Sequence, residues 1–247
     1  MNICIFDTET TSLEKPFCYN IGYVIVDTET RETVLQREYV VEQVWSNLEL
    51  FCSAYYADKR PDYVKRMRGR TVTMEKYGYI TQQMIRDFKS FKVEQAYAYN
   101  SPFDEKVFNF CCEWFKTINP FEIVNVFDIR GYVHNKIAFT PEFKQFCEVN
   151  EYFTESGNYS TTAETLFRYI TNNNDFNEAH TALDDSKIES QILFDCIDKG
   201  AEFGVNYTVY QSIPRMIERT LTIVQNDKRT TFNYYKRTNR KDTIYLK

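Results

Sequence analysis

With 247 residues, 43% of them hydrophobic, the chain holds enough apolar material for one large α/β domain or a core domain with an extension. Only 7 Gly and 6 Pro argue against flexible linkers and disorder, and no apolar run reaches the ~18–20 residues of a membrane helix. The net charge of −5 conceals two basic segments, Lys59–Arg70 (six basic residues, one acid) and Gln211–Lys247 (nine, three), which leave −16 on the remainder, an acidic body rather than a general basic binder of nucleic acid.

The start, "MNICIFD", has an acid at position 7 and no basic n-region, so it does not read as a secretion signal. Ile3–Phe6 is a short apolar run, as expected of a strand buried on both faces. Ile21–Val26 and Thr33–Val41 are β-branched and aromatic, and the polar "DTETRE" between them reads as a hairpin connection. Asn47–Ala57 and Ile80–Phe91 have helical apolar spacing, with the basic stretch between them. "QAYAY" at 95–99 reads as a strand. Phe103–Phe115 reads as a helix with Phe103, Val107, Phe110, Cys111 and Trp114 on one face, and "IVNVFDI" at 123–129 as a strand or a helix start. Thr161–Ile170 and Leu183–Ile197 are helical, the latter with Leu183, Ile188, Ile192 and Cys196 inward. A meander of strands followed by alternating helices and strands predicts a mixed α/β sheet flanked by helices. The expected division is a domain over 1–201 and a basic, aromatic-rich extension over 202–247.

Seven cysteines without a CxxC pair point to reduced, mostly buried thiols and a cytoplasmic location. Two histidines, His134 and His180, leave no material for a His-rich zinc site.

Three places concentrate acids. The quartet Asp-Thr-Glu-Thr occurs twice. At Asp7–Thr10 it follows a buried strand, where α/β sheets bind ligands, and Asp7 and Glu9 are spaced to share a side. The copy at Asp27–Thr30 falls on a turn. In "AYNSPFDEKVF" (98–108) Ser101 reads as an N-cap, Pro102 as the first helical residue and Asp104 as the third, so Asp104 either caps the helix or projects from its start. In "NEAHTALDDSKIES" (177–190), Thr181 and Asp184 form a plausible capping box, which leaves Asp185 without a structural task and His180 five positions before it.

D-x-E after the first strand, N-x-x-F-D at a helix start and H-x-x-x-x-D at a late helix start occur in that order, and together they resemble the DEDDh exonucleases of DnaQ-like type, on the ribonuclease-H-like fold. The resemblance implies that Asp7, Glu9, Asp104 and Asp185 hold two divalent ions, Mg²⁺ or Mn²⁺, and that His180 is the general base of a 3′–5′ exonuclease releasing nucleoside 5′-monophosphates. It also implies substrate contacts at Thr10, Thr11, Leu13, Asn100 and Phe103, with Leu13 wedged against the last base. The chain departs from the family pattern at Ser12, where glycine is usual, and at Tyr99, where histidine is frequent. The expected partners are 3′ ends of single-stranded DNA, favoured, or RNA, with a polymerase in trans as a further possibility. The basic segments, with Tyr63 and the tail "RTTFNYYKRTNRK" at 229–241, are expected to track a strand. Two alternatives remain open: an exoribonuclease of the same family and an inactive nucleic-acid-binding module.

Overall fold

The computed structural model describes residues 1–225 and 228–237, with side chains described as far as Met216. The tail residues expected to contact a strand therefore lie outside the described side chains.

Three antiparallel strands, β1 (Asn2–Thr10), β2 (Cys18–Asp27) and β3 (Thr33–Val41), form the meander. Parallel strands extend it on both sides: β4 (Thr73–Glu75) beside β3, and β5 (Gln95–Ala98) then β6 (Asn125–Asp128) beside β1, giving one six-stranded sheet in the order β4-β3-β2-β1-β5-β6. The short helices α1 (Glu42–Trp45), α2 (Leu48–Cys52) and α3 (Arg60–Arg68) lead to α4 (Tyr77–Phe91) and α5 (Ser101–Phe115). They share one core with Cys4 and Phe6 of β1. On the other face α6 (Ile129–Lys136), α7 (Pro141–Asn150), α8 (Ala163–Thr171) and α9 (Ala182–Asp198) pack with Ile3 and Ile5. This mixed sheet between two helical layers is a ribonuclease-H-like fold.

The period-two alternation of β1 thus feeds both cores, which is why its residues read as one uninterrupted apolar run. Strand β2 is buried along nearly all its length for the same reason. All seven thiols are free and six are buried. Beyond α9 the chain keeps packing on the body as far as Ile213, which is 1% exposed, before β7 (Met216–Gln225) pairs antiparallel with β8 (Lys228–Arg237). Among the described residues no helix is long and apolar enough to cross a membrane.

Several expectations need correction. The helix expected over Asn47–Ala57 is confined to α2 and followed by a 3-10 turn at Ala57–Lys59. The basic stretch is a helix, and its Tyr63 is buried with the hydroxyl donating to Asn20 Oδ1 at 2.8 Å, so that ring is closed to bases. Arg66 of the same helix pairs with the buried Glu38. Trp114 is 63% exposed and so leaves the inward face of α5, which runs through Cys111 and Cys112 to the partly buried Phe115. The segment 123–129 proves to be both alternatives in succession, β6 and then the first residue of α6.

Candidate active site

The site forms where β1 ends between α5 and α9. Alternation along β1 sends Asp7 and Glu9 to the face of Ile3 and Ile5, toward α9, and Thr8 to the opposite face, toward α5. The Thr8 hydroxyl donates to Asp104 Oδ1 at 2.6 Å, fixing the first turn of α5 against the strand. The capping box expected from Ser101 does not form. Asn100 is the N-cap, in left-handed conformation (φ 69°) and without a side-chain cap bond, and Ser101 is already helical, with its hydroxyl directed to Glu105. Asp104 is therefore held against β1 through Thr8.

Helix α9 is positioned by a buried polar hub. Asn20 of β2 accepts the Ala182 N–H at 2.9 Å and donates to the Tyr39 carbonyl at 2.9 Å, so the start of α9 is pinned to β2 and β3. At this start Thr181 is the N-cap by backbone, but its hydroxyl donates to Asp184 Oδ2 at 2.9 Å instead of accepting from an amide. Asp185 turns inward, and one ligand atom from each of Glu9, His180 and Asp185 lies within 4.8 Å of the others. Among the described residues, Asp185 Oδ1 is buried with no hydrogen-bond partner.

The electrostatics follow from burying several acids together. Burial, then the charge of Glu178, raises Asp7 to about 7 against an ordinary 3.8, although the Thr8 amide pulls the other way. Asp185 is pushed up to about 10 by burial, then by Asp7, Glu178 and Glu9, with Lys59 opposing. Glu9 and Asp104 rise well above their ordinary values, chiefly through burial and next through Asp7. Carboxylates this close repel unless protons or a cation intervene. An orphaned buried oxygen, three convergent ligand atoms and a donor set rich in hard oxygens all fit a divalent ion of the Mg²⁺ or Mn²⁺ type.

The expected substrate contacts are in different states. Leu13 is 73% exposed on the loop after β1, free to touch a ligand. Thr10 ends β1 at a register shift, and its hydroxyl only approaches the Ser12 carbonyl at 3.5 Å. Thr11 is buried and its amide donates to the Phe17 carbonyl. Asn100 Oδ1 accepts from Arg130 at 2.7 Å, and Phe103 is partly buried against the first core. The second quartet is a turn: Asp27 Oδ1 accepts the amides of Glu29 and Thr30 at 2.8 and 3.0 Å.

Three neighbours, Glu178, Glu189 and Tyr56, escaped the sequence reading, and Lys59 entered it only as part of the basic segment. Glu178 Oε2 lies 3.7 Å from His180 Nδ1, and burial, then Glu164, raises its carboxyl to about 7. Glu189, 3% exposed, accepts the Tyr99 amide at 3.1 Å, and burial, then Asp7, raises its pKa well above the ordinary range. Its signal was its place four residues after Asp185, on the inward side of α9 between Ile188 and Ile192. Tyr56 and Lys59 reach the site from the α2–α3 connection, a distance no local motif records.

No family model matches this sequence, and no curated protein matches it either. Solved structures do resemble it in fold. The nuclease domain of 3′hExo, a DEDDh family member bound to rAMP, aligns with a TM-score of 0.54 and 16% identity over 86% of this chain and 97% of its own. A 3′-exonuclease recognising the 3′ end of the histone mRNA stem-loop gives 0.59 and 15% over 94% and 90%. E. coli Exonuclease I with a dT13 oligonucleotide gives 0.52 and 14% over 81% of this chain and 41% of its own. At such identities the likeness establishes a shared fold, that of DEDDh 3′-exonucleases.

Proposed function

We propose that the chain is a divalent-metal-dependent 3′–5′ exonuclease that hydrolyses phosphodiester bonds at the 3′ ends of single-stranded nucleic acid and releases nucleoside 5′-monophosphates. The observation that carries this reading is the convergence of Glu9, Asp185 and His180 around an unpartnered buried carboxylate oxygen, with Asp7 on the same strand and Asp104 tied to it through Thr8. Neighbours of the same fold act on RNA 3′ ends or hold DNA, and one holds rAMP, the kind of product expected. DNA remains the favoured sugar of the reading, with RNA as the alternative.

Asp7, Glu9, Asp104 and Asp185 would hold the ions, which supply charge to stabilise both the attacking and the leaving oxygen. His180 is the base. Burial, then the charge of Lys59, lowers its pKa below 6.5, which keeps the imidazole neutral and able to accept a proton from water near neutral pH. Leu13 stands free to press against the terminal base, while Asn100 and Phe103 shape the wall at the start of α5.

The test is a time course on 5′-labelled single-stranded DNA and RNA with Mg²⁺ or with a chelator. A metal-dependent ladder shortening from the 3′ end is expected, and the faster ladder names the sugar. Asp7→Ala should abolish it, while Asp27→Ala should leave it within about twofold, because its lost turn bonds affect stability by only about 1 kcal/mol. Equal loss in both variants overturns the assignment, and tight binding without cleavage points to the inactive binding module.

A further inference from the structure

Tyr56 lies in the connection between α2 and α3 and has no part in the chemistry above. Its ring is stacked on the imidazole of His180, with centroids 4.4 Å apart and planes inclined by only 16°. Lys59, at the end of the 3-10 turn that Tyr56 precedes, donates to the carbonyl of Ala179 and places its ammonium 4.8 Å over the Tyr56 ring. One short segment therefore holds both the imidazole and the peptide immediately before it.

His180 needs such support. Its backbone is left-handed, φ +48°, a conformation that costs a non-glycine residue about 1–3 kcal/mol and persists only where surroundings enforce it. It sits in the irregular stretch between α8 and α9. A general base is commonly oriented by a hydrogen bond to its second ring nitrogen. Among the described residues, the carboxylate facing Nδ1 is that of Glu178, 3.7 Å away and beyond hydrogen-bond range.

We infer that Tyr56 is a positioning residue for His180, its ring fixing the plane of the imidazole beside Glu9 and Asp185 while Lys59 anchors the preceding peptide. The inference rests on the reading of His180 as the base. What matters is the aromatic face, since the hydroxyl has no part in the stack.

Tyr56→Ala should lower kcat by about tenfold to a hundredfold, within what a general base contributes, with KM nearly unchanged. Tyr56→Phe should restore the rate to within about twofold of the parent. In a His180→Ala background, Tyr56→Ala should have almost no further effect. An unchanged kcat in Tyr56→Ala, failure of Phe to rescue, or a full additional loss in the His180→Ala background each overturns the positioning role. A second readout needs no activity. The chain has two histidines, so the His180 ring protons can be assigned by NMR through His180→Ala. A ring-current shift retained in Tyr56→Phe and lost in Tyr56→Ala supports the stack, and an identical resonance in all three proteins rejects it. A wild-type chain that cleaves nothing yet shows the shift rejects the nuclease reading and leaves the stack standing.

Discussion

Two adjacent acids on α9 show how much one position decides. Asp184 is 42% exposed in its side chain and shares its oxygens with the Thr181 hydroxyl and Lys187, at 2.9 and 3.3 Å. Asp185 is buried with Oδ1 unpartnered, an arrangement that costs on the order of 1–3 kcal/mol unless something else satisfies it. We expect Asp185→Asn to reduce cleavage by at least about a hundredfold and to weaken Mn²⁺ binding in calorimetry, while leaving the metal-free protein no less stable, because Asp185, pushed up to about 10, is already a neutral acid near pH 7 and Asn replaces it without a change of charge. Asp184→Asn should change activity by less than about twofold and stability by under about 1 kcal/mol. Similar losses of metal affinity in both would mean that the ligand had been misassigned. The distinction was legible in the sequence because a Thr three residues before an acid gives that acid a local task. Glu189 was not legible, since glutamate on a helix ordinarily reads as a solvated face and only its register with Asp185 betrays it. Tyr56 carried no local signal at all, because its partner lies more than a hundred residues away and is brought near by tertiary packing.

At the scale of elements, the site depends on how closely α9 approaches β2. Ser186 donates to the Gly22 carbonyl at 3.1 Å, and a Cβ on Gly22 would stand 2.0 Å from Leu183 N and 2.2 Å from the Ala182 carbonyl carbon. These are backbone atoms of the helix turn that carries Asp185, so no side-chain rotation can relieve the clash. Gly22→Ala should therefore destabilise the fold by more than about 3 kcal/mol in urea titration, and residual folded protein should bind metal poorly. Gly69→Ala is the control. Its Cβ would meet the Lys65 carbonyl at an ordinary 3.4 Å, and a change within about 0.5 kcal/mol is expected. Helices α5 and α9 were readable because their apolar spacing runs for several turns. Helices α6 and α7 are short and separated by a break before Pro141, so their periodicity restarts before it accumulates. The Thr140 hydroxyl accepting the Phe143 amide, with Pro141 next to it, was the available start signal. In α3 the density of basic residues hid a buried side that includes Tyr63.

For the molecule as a whole, the pocket of acids makes stability depend on pH in an unusual direction. Asp7 rises from 3.8 to about 7, Glu178 from 4.5 to about 7 and Asp185 from 3.8 to about 10, each mainly through burial. Between the unfolded and folded values the native chain binds more protons than the unfolded one, so the contribution of these groups is complete below about pH 4 and is lost as pH rises through about 7 and then 10. Asp27, Glu148 and Asp198 have lowered values and act in the opposite sense, but they finish titrating below about pH 5, whereas His134, lowered to about 4, and His180, also lowered, oppose the trend up to about pH 7 and no further. Without metal, Tm should fall between about pH 7 and pH 9, where only the raised acids still titrate. A divalent cation reverses the balance, since it favours the ionised acids and binds the native state alone, stabilising it by RT ln(1 + [L]/Kd). The rise in Tm on adding Mg²⁺ or Mn²⁺ should accordingly be small near pH 5, where protons compete for the same oxygens, and should grow toward pH 9. Thermal melts with metal or with EDTA across that range decide the matter. A metal-free Tm that climbs above about pH 7 would mean that the acids are solvated and ordinary, whereas a metal effect independent of pH would place the ion away from Asp7, Glu9 and Asp185.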